Sequence, residues 1–215
     1  MYSYVPKSES KPFRVFCSDK LNRLKQNLKN KGFDIDFYLV GSGMKNLVTR
    51  NGEEAFDLDY NIEFKNTLIS QLNPQKLKDY IINFLNEIIS SEKPVFKNCQ
   101  DSTSAITSRL VYNKNLEFSF DIAILAKNKD GDYCRLIHNK KDDSNSYHWD
   151  KIQKSKRIYK RFEKLKQDGH FEELKKIYLE KKNFYLTHND HYHSSFTIFK
   201  ETVNQMNNKY YHPQG

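Results

Sequence analysis

The sequence predicts an α+β fold: a mixed β-sheet flanked by helices over residues 1–145, followed by a C-terminal helical region over residues 146–215. Three observations predict it. Strict alternation of apolar residues marks strands in FDLDYNIEF and LEFSFDIAIL. Apolar residues three and four apart mark helices near 18–30 and 74–90. From about Tyr147 onward the chain is Lys-rich and carries helical spacing.

The elements follow in order. Residues 1–12, with Pro6 and Pro12, read as an extended arm. Ser18 can cap a helix to Asn30, because Leu21, Leu24 and Leu28 form one stripe and Gly32 stops it. In FDIDFYLVGS, Phe33, Ile35, Phe37 and Leu39 alternate, giving a strand that ends in Gly41, Ser42 and Gly43. MKNLVTR then reads as a short helix and NGEE as a turn. In the strand Phe56–Phe64, Phe56, Leu58, Tyr60, Ile62 and Phe64 face one way; Asp57, Asp59, Asn61 and Glu63 face the other. Pro74 suits the first turn of a helix to Ser90, with Leu77, Ile81, Leu85 and Ile88 on one stripe. Strands at 104–112 and 116–125 are joined by NKN as a hairpin, and KNKDGD turns the chain into a strand within DYCRLIHNK. Helices at 149–167, 171–183 and 194–209 complete the chain, separated by Gly169 and the loop THNDHYH.

Composition narrows the class. Aromatic residues at 14% beside charged residues at 29% supply a core that disordered chains lack. The cysteines Cys17, Cys99 and Cys134 are odd in number and widely spaced, which argues against a secreted disulfide framework and a cysteine-rich zinc site. No run of apolar residues suits a signal peptide or membrane span, so the expected compartment is the cytoplasm, with no membrane partner. The net charge of +9 favours polyanionic partners, although a Lys-rich composition explains it equally well.

The chemistry concentrates on three acids. Asp57 and Asp59 share one strand face, and Asp121 sits alone in an otherwise apolar strand, pointing away from Phe118, Phe120, Ile122 and Ile124. Carboxylates in such strands are costly, and like charges on one face repel. Divalent cations offer a shared reason: three carboxylates can hold two Mg²⁺ ions, with Mn²⁺ as an alternative, and leave positions for triphosphate oxygens. Such an ion pair stabilises attacking and leaving oxygens during displacement at phosphorus. The turn Gly41-Ser42-Gly43 suits a phosphate, since glycine allows close backbone approach and the Ser42 hydroxyl can donate. Lys45 or Asn46 can reach the same phosphates.

This pattern resembles the nucleotidyltransferase superfamily of the DNA polymerase β type. The stretch VGSGMKNLVTRNGEEAFDLDYNIEF looks closest to the oligoadenylate synthase and cyclic GMP-AMP synthase-like branch, and the resemblance covers about residues 33–126. It implies a nucleotidyltransferase-fold mixed sheet, Mg²⁺ dependence, and transfer of a nucleoside monophosphate from a nucleoside triphosphate with release of pyrophosphate. By motif match, Asp57 and Asp59 bind both metals, and Asp121 binds the catalytic metal and helps activate the acceptor hydroxyl. The same resemblance implies that Gly41 and Ser42 would hold the triphosphate. The positive charge favours RNA or a nucleotide as acceptor.

The sequence also fits other readings. The chain can be a catalytically inactive nucleotide- or RNA-binding module of the same fold, or an interaction protein whose basic helices hold a polyanion. Tyr147 and Trp149 can stack on bases while Lys154, Lys156, Arg157, Lys160 and Arg161 contact phosphates, but an amphipathic helix explains them better. His188, Asp190, His191 and His193 suggest zinc only weakly, and a solvated loop is the simpler reading. Core packing accounts for Cys134 and His138. Cys17 lies where a helix start can lower a thiol pKa, without a visible base. Arg109 either neutralises the acids or sits on an exposed strand face.

Overall fold

The structure is a computed structural model describing residues 1–90, 96–112, 115–140, 146–153, 155–190 and 192–212. The chain divides into two compact units. A sheet unit comprises Val5–Val48 and Glu53–Ile152; a helical unit comprises Met1–Tyr4, Thr49–Gly52 and Gln153–Gly215.

In the sheet unit, α1 (Lys7–Asn30) leads to β2 (Ile35–Leu39), α2 (Gly41–Lys45), β4 (Phe56–Leu68) and α3 (Pro74–Ile89). Then come β5 (Phe96–Asp101), β6 (Ile106–Tyr112), β7 (Asn115–Lys127), β8 (Tyr133–Asn139) and β9 (Ser146–Lys151). The remaining strands, β1 (Tyr2–Tyr4) and β3 (Thr49–Asn51), belong to the helical unit. The large sheet runs β2-β4-β7-β6-β5, with β8 on the C-terminal part of β7 and β9 beside β8. Only β4 and β7 are parallel among these pairs, so the sheet is mixed.

The expected alternation holds. Phe56, Leu58, Tyr60, Ile62 and Phe64 are buried on one face of β4, and Phe118, Phe120, Ile122 and Ile124 on the same face of β7. Cys17, Leu21, Leu24 and Leu28 of α1 and Leu77, Ile81, Leu85 and Ile88 of α3 share this core. The Asn73 side chain caps α3 by accepting from the Lys76 N–H at 2.9 Å, and Pro74 occupies the first turn, where its missing N–H costs nothing.

Several elements differ from expectation. The arm over residues 1–12 is instead β1 followed by a helix beginning at Lys7, with Pro12 inside it. Proline in a helix interior costs about 3 kcal/mol or more. Tertiary packing offsets this: Phe13 stacks on Phe118 with centroids 4.6 Å apart and meets Phe56 edge-on at 5.3 Å. The helix read from MKNLVTR is displaced, since α2 begins at Gly41 and Thr49–Asn51 is a strand. Strand β5 carries no alternation that announces it. The helix expected from 149 begins at Lys156, because Ser146–Lys151 pairs with Cys134–Asn139 of β8. Of the hairpin residues NKN, Asn113 and Lys114 lie outside the described residues; Tyr112 stands opposite Asn115 across the antiparallel pair.

The helical unit contains α4 (Lys156–Gln167), α5 (Phe171–Thr187) and α6 (Ser195–Tyr211). Ile158, Phe162, Leu165, Leu174, Tyr178, Phe199, Val203 and Met206 are buried there. The ribbon β1–β3 is stitched to α5. The Tyr2 N–H donates to Asn183 Oδ1 at 2.6 Å, and Asn183 Nδ2 donates back to the Tyr2 carbonyl at 3.1 Å. Lys182 Nζ donates to Thr49 Oγ1 at 2.7 Å and lies 3.9 Å from the centre of the Tyr2 ring. Among the described residues, no helix is long and apolar enough to cross a membrane.

Candidate active site

The parallel register of β4 and β7 sets the acids side by side. Asp59 stands opposite Asp121, and Asp57 opposite Ser119. Period-two alternation puts all three carboxylates on the face turned away from the helix-covered core. On the other edge of β7, Thr107 of β6 stands opposite Asp121 and Arg109 opposite Ser119. Asp57 is exposed; Asp59 and Asp121 are partly buried.

Hydroxyl groups meet two of the acids. Ser119 Oγ donates to Asp57 Oδ1, and Thr107 Oγ1 donates to Asp121 Oδ1 at 2.5 Å. The electrostatics record crowding. Burial, then the charges of Asp121 and Asp57, push the Asp59 carboxyl up to about 6, while Lys45 and Arg135 pull it back. Burial also raises Asp121, aided by Asp57 and opposed by the Thr107 hydrogen bond and Arg109. Among the described residues, no three His, Cys, Asp or Glu side chains are drawn together closely enough to hold one metal ion. Asp57 and Asp121 each accept one of these hydroxyl hydrogen bonds on Oδ1. The donor chemistry nevertheless fits a hard divalent cation, since Asp57, Asp59 and Asp121 offer carboxylate oxygens on one sheet face.

The small-residue turn abuts this cluster. The Val40 N–H donates to the Asp59 carbonyl at 2.8 Å, tying the end of β2 to β4 just before α2. Gly41 has φ +60°, and a Cβ there would collide with Asp59 Oδ2. Gly43 is less constrained: its Cβ would come 2.8 Å from Leu39 Cδ1, the end of a flexible side chain. The first helical bond runs from the Met44 N–H to the Val40 carbonyl at 3.2 Å, so the N–H groups of Gly41, Ser42 and Gly43 precede the intrahelical ladder. Asn46 ends α2 in the left-handed region at φ 57°. Lys45 is buried and folds back to donate from Nζ to the Gly41 carbonyl at 2.7 Å. Its burial lowers the ammonium pKa to about 8 against the pull of Asp59.

Two basic residues near this site were not singled out by sequence reasoning. Arg14 of α1 donates from Nη2 to the Gly43 carbonyl at 3.2 Å. Arg135 of β8 stands opposite Leu125 on the acidic face and acts electrostatically on Asp59. Alternation in DYCRLIHNK was the available signal for Arg135; nothing local announces Arg14.

The secondary candidates are placed as follows. Arg109 donates from Nη1 to Gln100 Oε1 and lowers Asp121 electrostatically. Tyr147 and Trp149 pack against the core from β9. Lys154 and His191 lie outside the described residues. Lys156, Arg157 and Lys160 are exposed on α4, while Arg161 donates to Asn204 Oδ1 at 2.5 Å. His193 Nδ1 lies 2.7 Å from Asp190 Oδ2, and His188 Nδ1 lies 2.8 Å from the Phe184 carbonyl. Cys134 and His138 are buried. Cys17 is also fully buried, which pushes its thiol pKa strongly up and corrects the expectation of a lowered value at a helix start.

No protein-family model matches the sequence, and no curated protein matches it. Solved structures do match. Vibrio cholerae DncV in its apo form aligns with a TM-score of 0.60 at 15% identity, covering 80% of this chain and 45% of that one. The GTP-bound form aligns with a TM-score of 0.59 at 16% identity over the same shares, 80% and 45%. The DncV cyclic AMP-GMP synthase in complex with the linear intermediate 5′ pppA(3′,5′)pG aligns with a TM-score of 0.59 at 14% identity, covering 80% and 47%. The chain thus spans less than half the length of the structures it matches, and it has the mixed-sheet nucleotidyltransferase fold seen in DncV.

Proposed function

We propose that this chain is a nucleotidyltransferase that transfers a nucleoside monophosphate from a nucleoside triphosphate to an acceptor hydroxyl, on RNA or a nucleotide, and releases pyrophosphate. The observation that carries this reading is the register: Asp59 faces Asp121 across parallel strands, Asp57 lies two residues away on the same face, and Gly41 abuts Asp59. The fold shared with DncV, whose structures include GTP and a linear dinucleotide intermediate, supports it.

In this reading Asp57, Asp59 and Asp121 hold two Mg²⁺ ions, for which Mn²⁺ can substitute. Bound there, the ions would supply positive charge to the triphosphate and to the attacking and leaving oxygens. The chain's own groups do the rest. Gly41, Ser42 and Gly43 present backbone N–H groups and the Ser42 hydroxyl to phosphate oxygens. Lys45 and Asn46 shape that turn: Lys45 braces it through the Gly41 carbonyl and Asn46 closes its short helix. Asp121 would accept a proton from the acceptor hydroxyl. All these residues fall within residues 1–145, which we assign as the catalytic part; residues 146–215 form a C-terminal helical region of unassigned role.

The test is incubation with Mg²⁺ and each labelled triphosphate, with RNA, nucleotides or no acceptor, reading pyrophosphate and extended products. Release that disappears in Asp57→Ala, Asp59→Ala supports the proposal, and undiminished release in that double variant refutes it. One observation favours the alternative of an inactive nucleotide- or RNA-binding module: among the described residues no three His, Cys, Asp or Glu side chains are grouped to hold one metal ion. Triphosphate or RNA binding without turnover would select that reading.

A further inference from the structure

The sheet unit contains a buried polar cluster outside the acidic site. Lys78 of α3 is 1% exposed, a rare position for a lysine. Its Nζ lies 2.5 Å from Asp101 Oδ1 and donates to the Ser102 carbonyl at 2.6 Å. The Asp101 carboxylate also accepts from the Tyr147 hydroxyl at 2.7 Å and lies 2.9 Å from His138 Nδ1. His138 and Tyr147 stack with ring centroids 4.0 Å apart, and the His138 N–H donates to the Thr103 carbonyl at 2.7 Å. Within the turn itself, the Ser102 N–H donates to the Ala105 carbonyl at 3.0 Å. Groups from α3, β8 and β9 therefore clamp the short turn between β5 and β6.

That turn reaches the acidic site. Ser102 Oγ lies 2.9 Å from Thr107 Oγ1, and Thr107 Oγ1 lies 2.5 Å from Asp121 Oδ1. A hydroxyl has one proton to give. The Asp121 carboxylate can only accept, so the Thr107 proton goes to it and Ser102 must donate to Thr107. The chain of donors has one direction, Ser102 to Thr107 to Asp121, and its origin is fixed by the buried Lys78–Asp101 pair. Thr107 and Ser102 are thereby locked in orientation, and the Asp121 carboxylate is left with its second oxygen outside this relay.

We propose that Thr107, oriented by Ser102 and the Lys78–Asp101 clamp, is a positioning residue that aims the Asp121 carboxylate for divalent-cation binding. The inference rests on the reading of Asp121 as a cation ligand. Partners that orient a ligating carboxylate typically change metal affinity about 10- to 100-fold when removed. Thr107→Val keeps shape and removes the hydroxyl; Thr107→Ser keeps the hydroxyl.

The experiment titrates the full chain with Mn²⁺ alone, without triphosphate, and reads bound metal by electron paramagnetic resonance, with thermal melts to follow folding. Thr107→Val is expected to weaken Mn²⁺ binding about tenfold, and Thr107→Ser to restore it. Should Thr107→Val fail to fold, Ser102→Ala is expected to weaken binding in the same direction by a smaller factor. Wild-type affinity in a folded Thr107→Val, or in Ser102→Ala, would overturn the inference even if the melting temperature fell. So would a wild-type chain that binds no Mn²⁺. Binding by the wild type without any turnover would instead overturn the catalytic proposal, and the variants' affinities would still decide the role of Thr107.

Discussion

Asp101 and Asp59 lie on strands of one sheet, yet their surroundings push the two carboxyls in opposite directions. Burial raises Asp101, but hydrogen bonds from Lys78 and Tyr147 and the charges of Lys78 and His138 outweigh it and hold its pKa below the ordinary value. Burial raises Asp59 too, and there the neighbouring acids add to the effect. One carboxylate is compensated on several sides and ties helix, turn and strands together. The other is kept among like charges, where a sequence selected for stability alone would place Asn or Ser. Acids crowded so that one is held above its ordinary pKa are a mark of chemistry more than of architecture.

The contrast can be broken most sharply at the acidic site. Asp57→Ala with Asp59→Ala should reduce pyrophosphate release at least about 1,000-fold, several kcal/mol of transition-state stabilisation, while the circular dichroism spectrum stays that of the folded chain. The clamp should respond in the reverse manner. Lys78→Met strands Asp101 beside His138 and should cost about 3 kcal/mol of stability, measured by urea unfolding. Asp59→Asn sharpens the difference further: removing a charge held at a pKa of about 6 should stabilise the chain at pH 7 by about 1–2 kcal/mol after solvent screening, read in chelating buffer. A destabilised Asp59→Asn would show that the acids support the fold.

The smallest effect is the acid limb of Asp101. Its folded pKa is depressed, so its contribution is fully present above the ordinary value of 3.8 and is lost as pH falls through the folded value. Thermal melts of the wild type should therefore decline below about pH 4 more steeply than those of Asp101→Asn, by less than about 1 kcal/mol. Equal slopes would deny Asp101 its structural role.

Much of the acidic site was legible because its signals are local. Alternation in Phe56–Phe64 and Phe118–Ile124 assigns a face to each acid without knowledge of any partner strand. The glycines at 41 and 43 announce close approach, though not that Asp59 is what comes close. The rest depended on partners distant in sequence. Pro12 lies within a helix because Phe13 and its neighbours find the sheet, which no local rule contains. Ser146–Lys151 is a strand because β8 offers a pairing edge, although Trp149 also stands at helical spacing from Ile152. Lys182 reads as one more surface lysine until Tyr2 and Thr49 are brought to it. Thr107 carries no motif, since its importance lies in what stands opposite it in the sheet.

The ribbon of β1 and β3 has a consequence for how the chain is made. Tyr2 and Asn183 bond across 181 positions, so β1 has no mate on α5 until Asn183 has left the ribosome. Lengthening the intervening segment adds little entropy, about 0.6 kcal/mol per doubling, but contacts this distant in sequence form slowly. Synthesis therefore delivers every described strand of the large sheet before α5, to which β1 and β3 are bonded, exists.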